Sequence, residues 1–122
     1  MKRPHKGKTG VKRIWNALFH SLDGFATAFR LEDAFRLEIL LALILIPLGL
    51  HMDVSGIGRA LLVASVMLVL VIELLNTAIE AATDRISLDD HVLAKRAKDM
   101  GSAAVMLSLI NVPVVWLLVI FG

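Results

Sequence analysis

The 122-residue chain contains no cysteine, which excludes disulfides and thiolate metal sites. Its four histidines, His5, His20, His51 and His91, stand at no metal-ligand spacing. A Walker A loop, a glycine-rich kinase loop and HRD or DFG motifs are all missing, so no familiar soluble phosphate-binding framework is encoded. Internal repeats and low-complexity stretches are absent as well. The basic N-terminus leads into an amphipathic stretch, not straight into an apolar core, so no secretory signal is expected. Polar helix faces are also scarce. Charged residues make up 20% of the chain against 57% hydrophobic, and they are segregated, leaving long segments without a polar side. A soluble domain of this length would need such sides. The expectation is a small, single-domain membrane protein over 1–122.

Three apolar segments stand out, at about 33–50, 57–84 and 97–121. A spanning helix needs roughly 20 mainly apolar residues. The first segment reaches that length only if Glu32 to Glu38 begins the same helix near the headgroups. Eight of the thirteen lysines and arginines precede the first span, Arg59 follows it, and Arg85, Lys95, Arg96 and Lys98 lie between the second and third. The positive-inside rule then puts the N-terminus and the second loop in the cytoplasm and the C-terminus outside. Residues 1–10 read as a flexible tail. Over 11–30, Ile14, Trp15, Leu18, Phe19, Leu22, Phe25 and Phe29 recur at three- and four-residue steps, opposite Arg13, Asn16, His20, Asp23, Thr27 and Arg30. That is an amphipathic helix suited to the headgroup plane. The fold class is all-α.

The chemistry lies where the second span runs into "ELLNTAIEAATD". Glu73, Asn76, Thr77, Glu80 and Asp84 fall within about a 100° arc of one helix face, in a stripe roughly 16 Å long. A charge at the bilayer centre costs about 2.5–3.5 kcal/mol on insertion scales, so the stripe has to face protein or water. Solvation at a helix end explains Asp84 well, Glu80 less well and Glu73 poorly. Asn76 by itself could be glue between helices. Lys98 and Asp99 stand at the cytoplasmic mouth of the third span, where basic residues also serve as plain topological anchors. Gly101, Ser102, Ala103 and Ala104 are small enough for close helix approach. Glu32, Arg36 and Glu38 flank the start of the first span, with Glu32 and Arg36 spaced for a helical ion pair. Carboxylates opposite ammonium groups suit Mg²⁺ and phosphate. From spacing alone the conclusion is a membrane site that handles a cation or an anionic group.

"EDAFRLE", "VMLVLVIELLNTAIEAATDRI" and "AKDMGSAAV", in this order, closely resemble the prokaryotic diacylglycerol kinase family. The likeness covers most of the chain after about Arg13. It implies an enzyme of the bacterial inner membrane that phosphorylates diacylglycerol to phosphatidic acid with MgATP. It further implies a homotrimer of protomers with one surface helix and three spans, sharing active sites between neighbours. By motif position, Glu73 matches the proposed catalytic base, and Glu32 and Glu80 match the carboxylates that hold Mg²⁺ at the nucleotide. Lys98 and Asp99 match residues that bind ATP, and Asp89, Asp90 and His91 fall where the family's loop lies near the nucleotide. Arg13 matches a basic residue near the phosphates and the lipid. Glu38, Ser102, Asn76 and Asp84 match polar members of the site or its support. His20 stands where relatives often have tyrosine, and Asp23 where they often have a basic residue.

Three other functions compete. Undecaprenol kinases share the second-span signature, although "EDAFRLE" looks more like the diacylglycerol branch. A small proton or cation carrier would also place carboxylates inside the membrane. A non-enzymatic assembly subunit would use the stripe only as an interface.

Overall fold

The computed structural model describes residues 10–85 and 91–122, and among these the fold is four helices with no strand. Helix α1 spans Gly10–Leu31, α2 Asp33–Leu50, α3 Gly56–Thr83 and α4 His91–Phe121. The tail expected over 1–10 lies outside the described residues, apart from Gly10 at the start of α1. Asp89 and Asp90 lie outside them too.

Helix α1 carries its apolar stripe largely uncovered. Ile14, Trp15, Leu18, Phe19 and Leu22 are all exposed, and Trp15 and Phe19 meet edge to face at 5.3 Å. Its C-terminal turns rest on the other helices: Ala28 is buried, and Phe25 lies against the buried Phe35 at 6.5 Å. One extended residue, Glu32 (φ −116°, ψ 113°), separates α1 from α2. Arg36 closes this corner by donating to the carbonyls of Phe29 at 2.8 Å and Arg30 at 2.9 Å, and it pairs with Asp33. Carbonyls that end a helix have no partner within it, and a cation there also offsets the negative end of the helix dipole. Arg36 is therefore a cap for α1, and its carboxylate partner is Asp33 in place of the Glu32 expected from spacing.

The turn from α2 to α3 is held just as specifically. The hydroxyl of Ser55 accepts from the amide of Gly58 at 3.0 Å, a normal N-cap for α3. Arg59 reaches back to the carbonyls of Met52 at 3.0 Å and Val54 at 2.7 Å. Such a turn makes α2 and α3 antiparallel neighbours.

Helix α3 is the hub, packing along α4 and α2 and touching α1. Leu62, Val66 and Val69 form its buried apolar face, and Phe35 and Ala42 are the buried apolar side chains of α2. Gly49 lets α2 approach α3 and α4 closely near the α2–α3 turn. A β-carbon there would sit 3.2 Å from Cβ of Leu62 and 3.5 Å from the Trp116 ring. The Trp116 indole in turn donates to Ser65 Oγ at 3.1 Å, so the polar edge of a large ring is satisfied inside the bundle.

Both α3 and α4 are long and apolar enough to cross a membrane, and most of their surface is uncovered. A core helix of a soluble protein would be mostly buried. Exposed leucines, valines and isoleucines on every helix make this a membrane protein. Helix α2 is shorter, 18 residues, and carries Asp33, Arg36 and Glu38 in its first two turns.

Candidate active site

The polar stripe of α3 turns inward at one end and outward at the other. Glu73 is 5% exposed and Asn76 9%, Thr77 and Glu80 are half-buried, and Asp84 is exposed at the helix end. Burial of Glu73 follows from the neighbouring helix: Glu38 of α2 faces it within electrostatic range. Glu32, at the α1–α2 corner, and Glu80, two turns along α3, act on Glu73 in the same way. Three carboxylates, from the corner, α2 and α3, are thus gathered around one buried fourth.

Such a group is costly unless its oxygens have donors. Here donors are lacking. Oε1 of Glu73, Oε1 of Glu38 and Oδ1 of Asn76 are buried without a hydrogen-bond partner among the described residues. The amide of Asn76 makes one long bond, from Nδ2 to Glu80 Oε2 at 3.5 Å. Unpaired buried acceptors at a cluster of this kind are what a site that binds a cation or accepts a proton from a ligand would show.

The basic groups are arranged at the open end. Lys98 of α4 binds Asp84, the C-cap residue of α3, at 2.6 Å and feels the charge of Glu80 as well. Lys95 binds Asp99 at 2.7 Å along α4. Both groups expected to meet a nucleotide, Lys98 and Asp99, therefore already have an ionic partner. His91 is exposed at the start of α4. Ser102 is exposed beside the buried Gly101. Arg13 is exposed near the start of α1, about 28 Å of helix away from Glu32. It lines a shallow depression with Asn16 and His20.

Two clefts adjoin the site. A slot of about 160 Å³ between α2, α3 and α4 is walled by Leu41, Leu45, Val66, Val69, Leu109 and Val112, with Glu38 as its charged member. A wider cleft of about 610 Å³ separates α1 from α3, with Asp23, Thr27 and Thr77 among apolar neighbours. Apolar walls with a few polar groups are the usual make-up of a site for a small, mostly apolar molecule.

A sequence profile of the prokaryotic diacylglycerol kinases matches residues 19–120. The chain belongs to that family. It is 52% identical over 119 residues to the diacylglycerol kinase of Pseudomonas aeruginosa, covering 98% of this chain and 97% of that one. Identity to the Haemophilus influenzae diacylglycerol kinase is 45% over 108 residues, covering 88% and 92%. For the Escherichia coli K12 diacylglycerol kinase it is 43% over 114 residues, covering 93% of each chain.

A kinase of this family implies a nucleotide and, usually, a divalent metal. Among the described residues no three histidine or acidic side chains converge tightly enough to hold an ion by themselves. Magnesium rarely asks for that, since it typically takes one or two carboxylates and completes its shell with water and substrate phosphates. Glu32 and Glu80 both lie within electrostatic range of Glu73, and neither is engaged in an ion pair among the described residues, so these two carboxylates could make up such a set. Glu38 belongs closer to the centre than its place at the start of an apolar run suggests. Its alignment with Glu73 depends on the register between α2 and α3.

Proposed function

We propose that this prokaryotic diacylglycerol kinase family member transfers the γ-phosphoryl group of ATP to the free hydroxyl of diacylglycerol, yielding phosphatidic acid and ADP. The observation that carries this reading is Glu73, a buried carboxylate with an unpartnered oxygen, set in a chain of this family. A general base needs a free acceptor within hydrogen-bond reach of the proton it takes. Glu73 meets that need at a depth that a lipid hydroxyl can reach from within the bilayer.

The 28 residues of α3 extend about 42 Å, against roughly 30 Å of hydrocarbon. That length supports a span whose C-terminal turns, with Glu80 and Asp84, emerge at the headgroups. Helix α2 supplies a third span with its charged first turns in the headgroup layer, and α1 lies along the surface. The N-terminus is cytoplasmic and the C-terminus is outside the bacterial inner membrane. Three protomers assemble into a bundle with active sites shared between neighbours.

In the transfer step Glu73 takes the hydroxyl proton while the hydroxyl oxygen bonds to the γ-phosphorus and the bond from that phosphorus to the β–γ bridging oxygen breaks. Glu32 and Glu80 would hold Mg²⁺, which when bound neutralises charge on the nucleotide phosphates. Lys98 and Asp99 take up the nucleotide as their ionic partners Asp84 and Lys95 release them, with Asp89, Asp90 and His91 nearby and Arg13 toward the phosphates. Glu38 and Ser102 flank the lipid, and Asn76 and Asp84 support the site.

The test is transfer of labelled γ-phosphate from MgATP to diacylglycerol or to undecaprenol in mixed micelles. Product from diacylglycerol establishes the reaction. Preference for undecaprenol keeps the chemistry and changes the acceptor. No product from either lipid, with ATP-independent ion flux in proteoliposomes, would return the carrier.

A further inference from the structure

Where α3 and α4 cross beside the carboxylates, Gly101 is buried and Asn76 lies directly against it. A β-carbon at Gly101 would overlap Oδ1 of Asn76 outright and would sit 3.2 Å from its Cγ. The same amide is 9% exposed, has no partner for Oδ1, and sends Nδ2 toward Glu80. Gly49, by contrast, has Leu62 and Trp116 as its nearest neighbours, which is close packing of apolar groups. Gly101 sits in α4 with no positive φ, so its backbone conformation does not require glycine. What requires it is the space for a carboxamide.

We infer that Gly101 is a positioning residue for the kinase site: its missing side chain makes the notch that seats the Asn76 amide and thereby aims Nδ2 at Glu80. The inference rests on the functional reading above for the role of Glu80. The atom in the way is the far end of a side chain, so a methyl group at 101 can be admitted by swinging the amide aside. The helices need not separate. Gly101→Ala therefore leaves the bundle standing and misplaces one polar group. Misplacement of a positioning group by an ångström can cost on the order of 10²-fold in rate.

The experiment compares Gly101→Ala, Asn76→Ala and the double variant in detergent micelles, with Gly56→Ala as control, since a β-carbon at Gly56 meets nothing within 4 Å. Three readouts are taken: thermal unfolding, kcat and KM with MgATP and diacylglycerol, and the side-chain amide ¹⁵N–¹H resonances of Asn76. We expect Gly101→Ala to unfold within a few degrees of the unsubstituted protein, to shift the Asn76 amide resonances, and to lower kcat by about 10- to 100-fold with little change in lipid KM. In the Asn76→Ala background the same substitution adds less than about twofold, because the group it acts through is gone. Unmoved Asn76 resonances, or losses that multiply in the double variant, would overturn the inference. If the unsubstituted protein phosphorylates no lipid, the functional reading fails instead, and the Asn76 resonances alone decide whether Gly101 seats the amide.

Discussion

Glu73→Gln separates the chemistry of the site from its architecture. Glutamine has the shape of glutamate and carries no charge, so it escapes the repulsion of Glu32, Glu38 and Glu80 at this position. The substitution removes a charge from a group that is 5% exposed and surrounded by like charges. Isolated charges in such places destabilise a fold, so the variant should unfold no earlier than the unsubstituted protein. Its activity should move the other way. A positioned general base contributes about 10²–10⁴-fold, equivalent to about 2.7–5.4 kcal/mol of barrier. Labelled phosphoryl transfer to diacylglycerol should therefore fall by at least 100-fold in kcat, with the KM for ATP nearly unchanged because the nucleotide groups are untouched. Glu73→Asp keeps the base but retracts it by one methylene, and should fall between the two. Turnover of Glu73→Gln above a tenth of the original would refute the assignment. A loss of activity matched by a collapse in thermal stability would refute the claim that the carboxylate is catalytic and not structural.

Other positions give independent checks. Arg36→Leu removes the cap on α1; with the side chain 39% exposed, the cost is about 1 kcal/mol, and faster amide exchange should be confined to the last turn of α1 and the corner at Glu32. Trp116→Phe deletes the indole bond to Ser65, which still donates to the Leu62 carbonyl at 2.8 Å, so thermal unfolding should report a loss of about 0.5–1.5 kcal/mol with activity intact. Gly49→Val drives methyl groups into Leu62 and Trp116 and should cost about 1–3 kcal/mol through overpacking. Leu62→Ala opens a cavity at a residue with no exposure and should cost about 2–5 kcal/mol in the same measurement.

How much of this could be read from the sequence differs from element to element. The polar stripe of α3 was legible because it depends on helical period alone, and Glu73 is buried where the apolar run before it says it should be. The amphipathic pattern of α1 was legible for the same reason. Contacts that depend on how two helices slide past each other were not. The pairing of Gly101 with Asn76 and of Trp116 with Ser65 joins residues of α3 and α4 whose relative register no local pattern encodes. Glu38 meets Glu73 across the α2–α3 register in the same way. The corner at Glu32 left a trace that could have been found. Two acidic residues in succession, Glu32 and Asp33, mark a helix start, and Arg36 one turn later is spaced to pair with the second of them. The helical start of α4 at His91 left a weaker trace, because the six residues before Ala97 mix charged and apolar side chains without a clear face.

Glu32 has a mechanical consequence beyond its charge. It is the one non-helical residue between the amphipathic helix α1 and the first helix of the bundle, and Arg36 ties the two helix ends together across it. A rigid rod that pivots moves most at its far tip and turns most at its hinge. A tilt of α1 would turn the two backbone angles of Glu32 and would have to loosen the Arg36 bonds and the Phe25–Phe35 contact that hold this corner. The same rotation swings its carboxylate relative to Glu73 and Glu80. A tilt of α1 about Glu32 would therefore turn one of the carboxylates that act on Glu73.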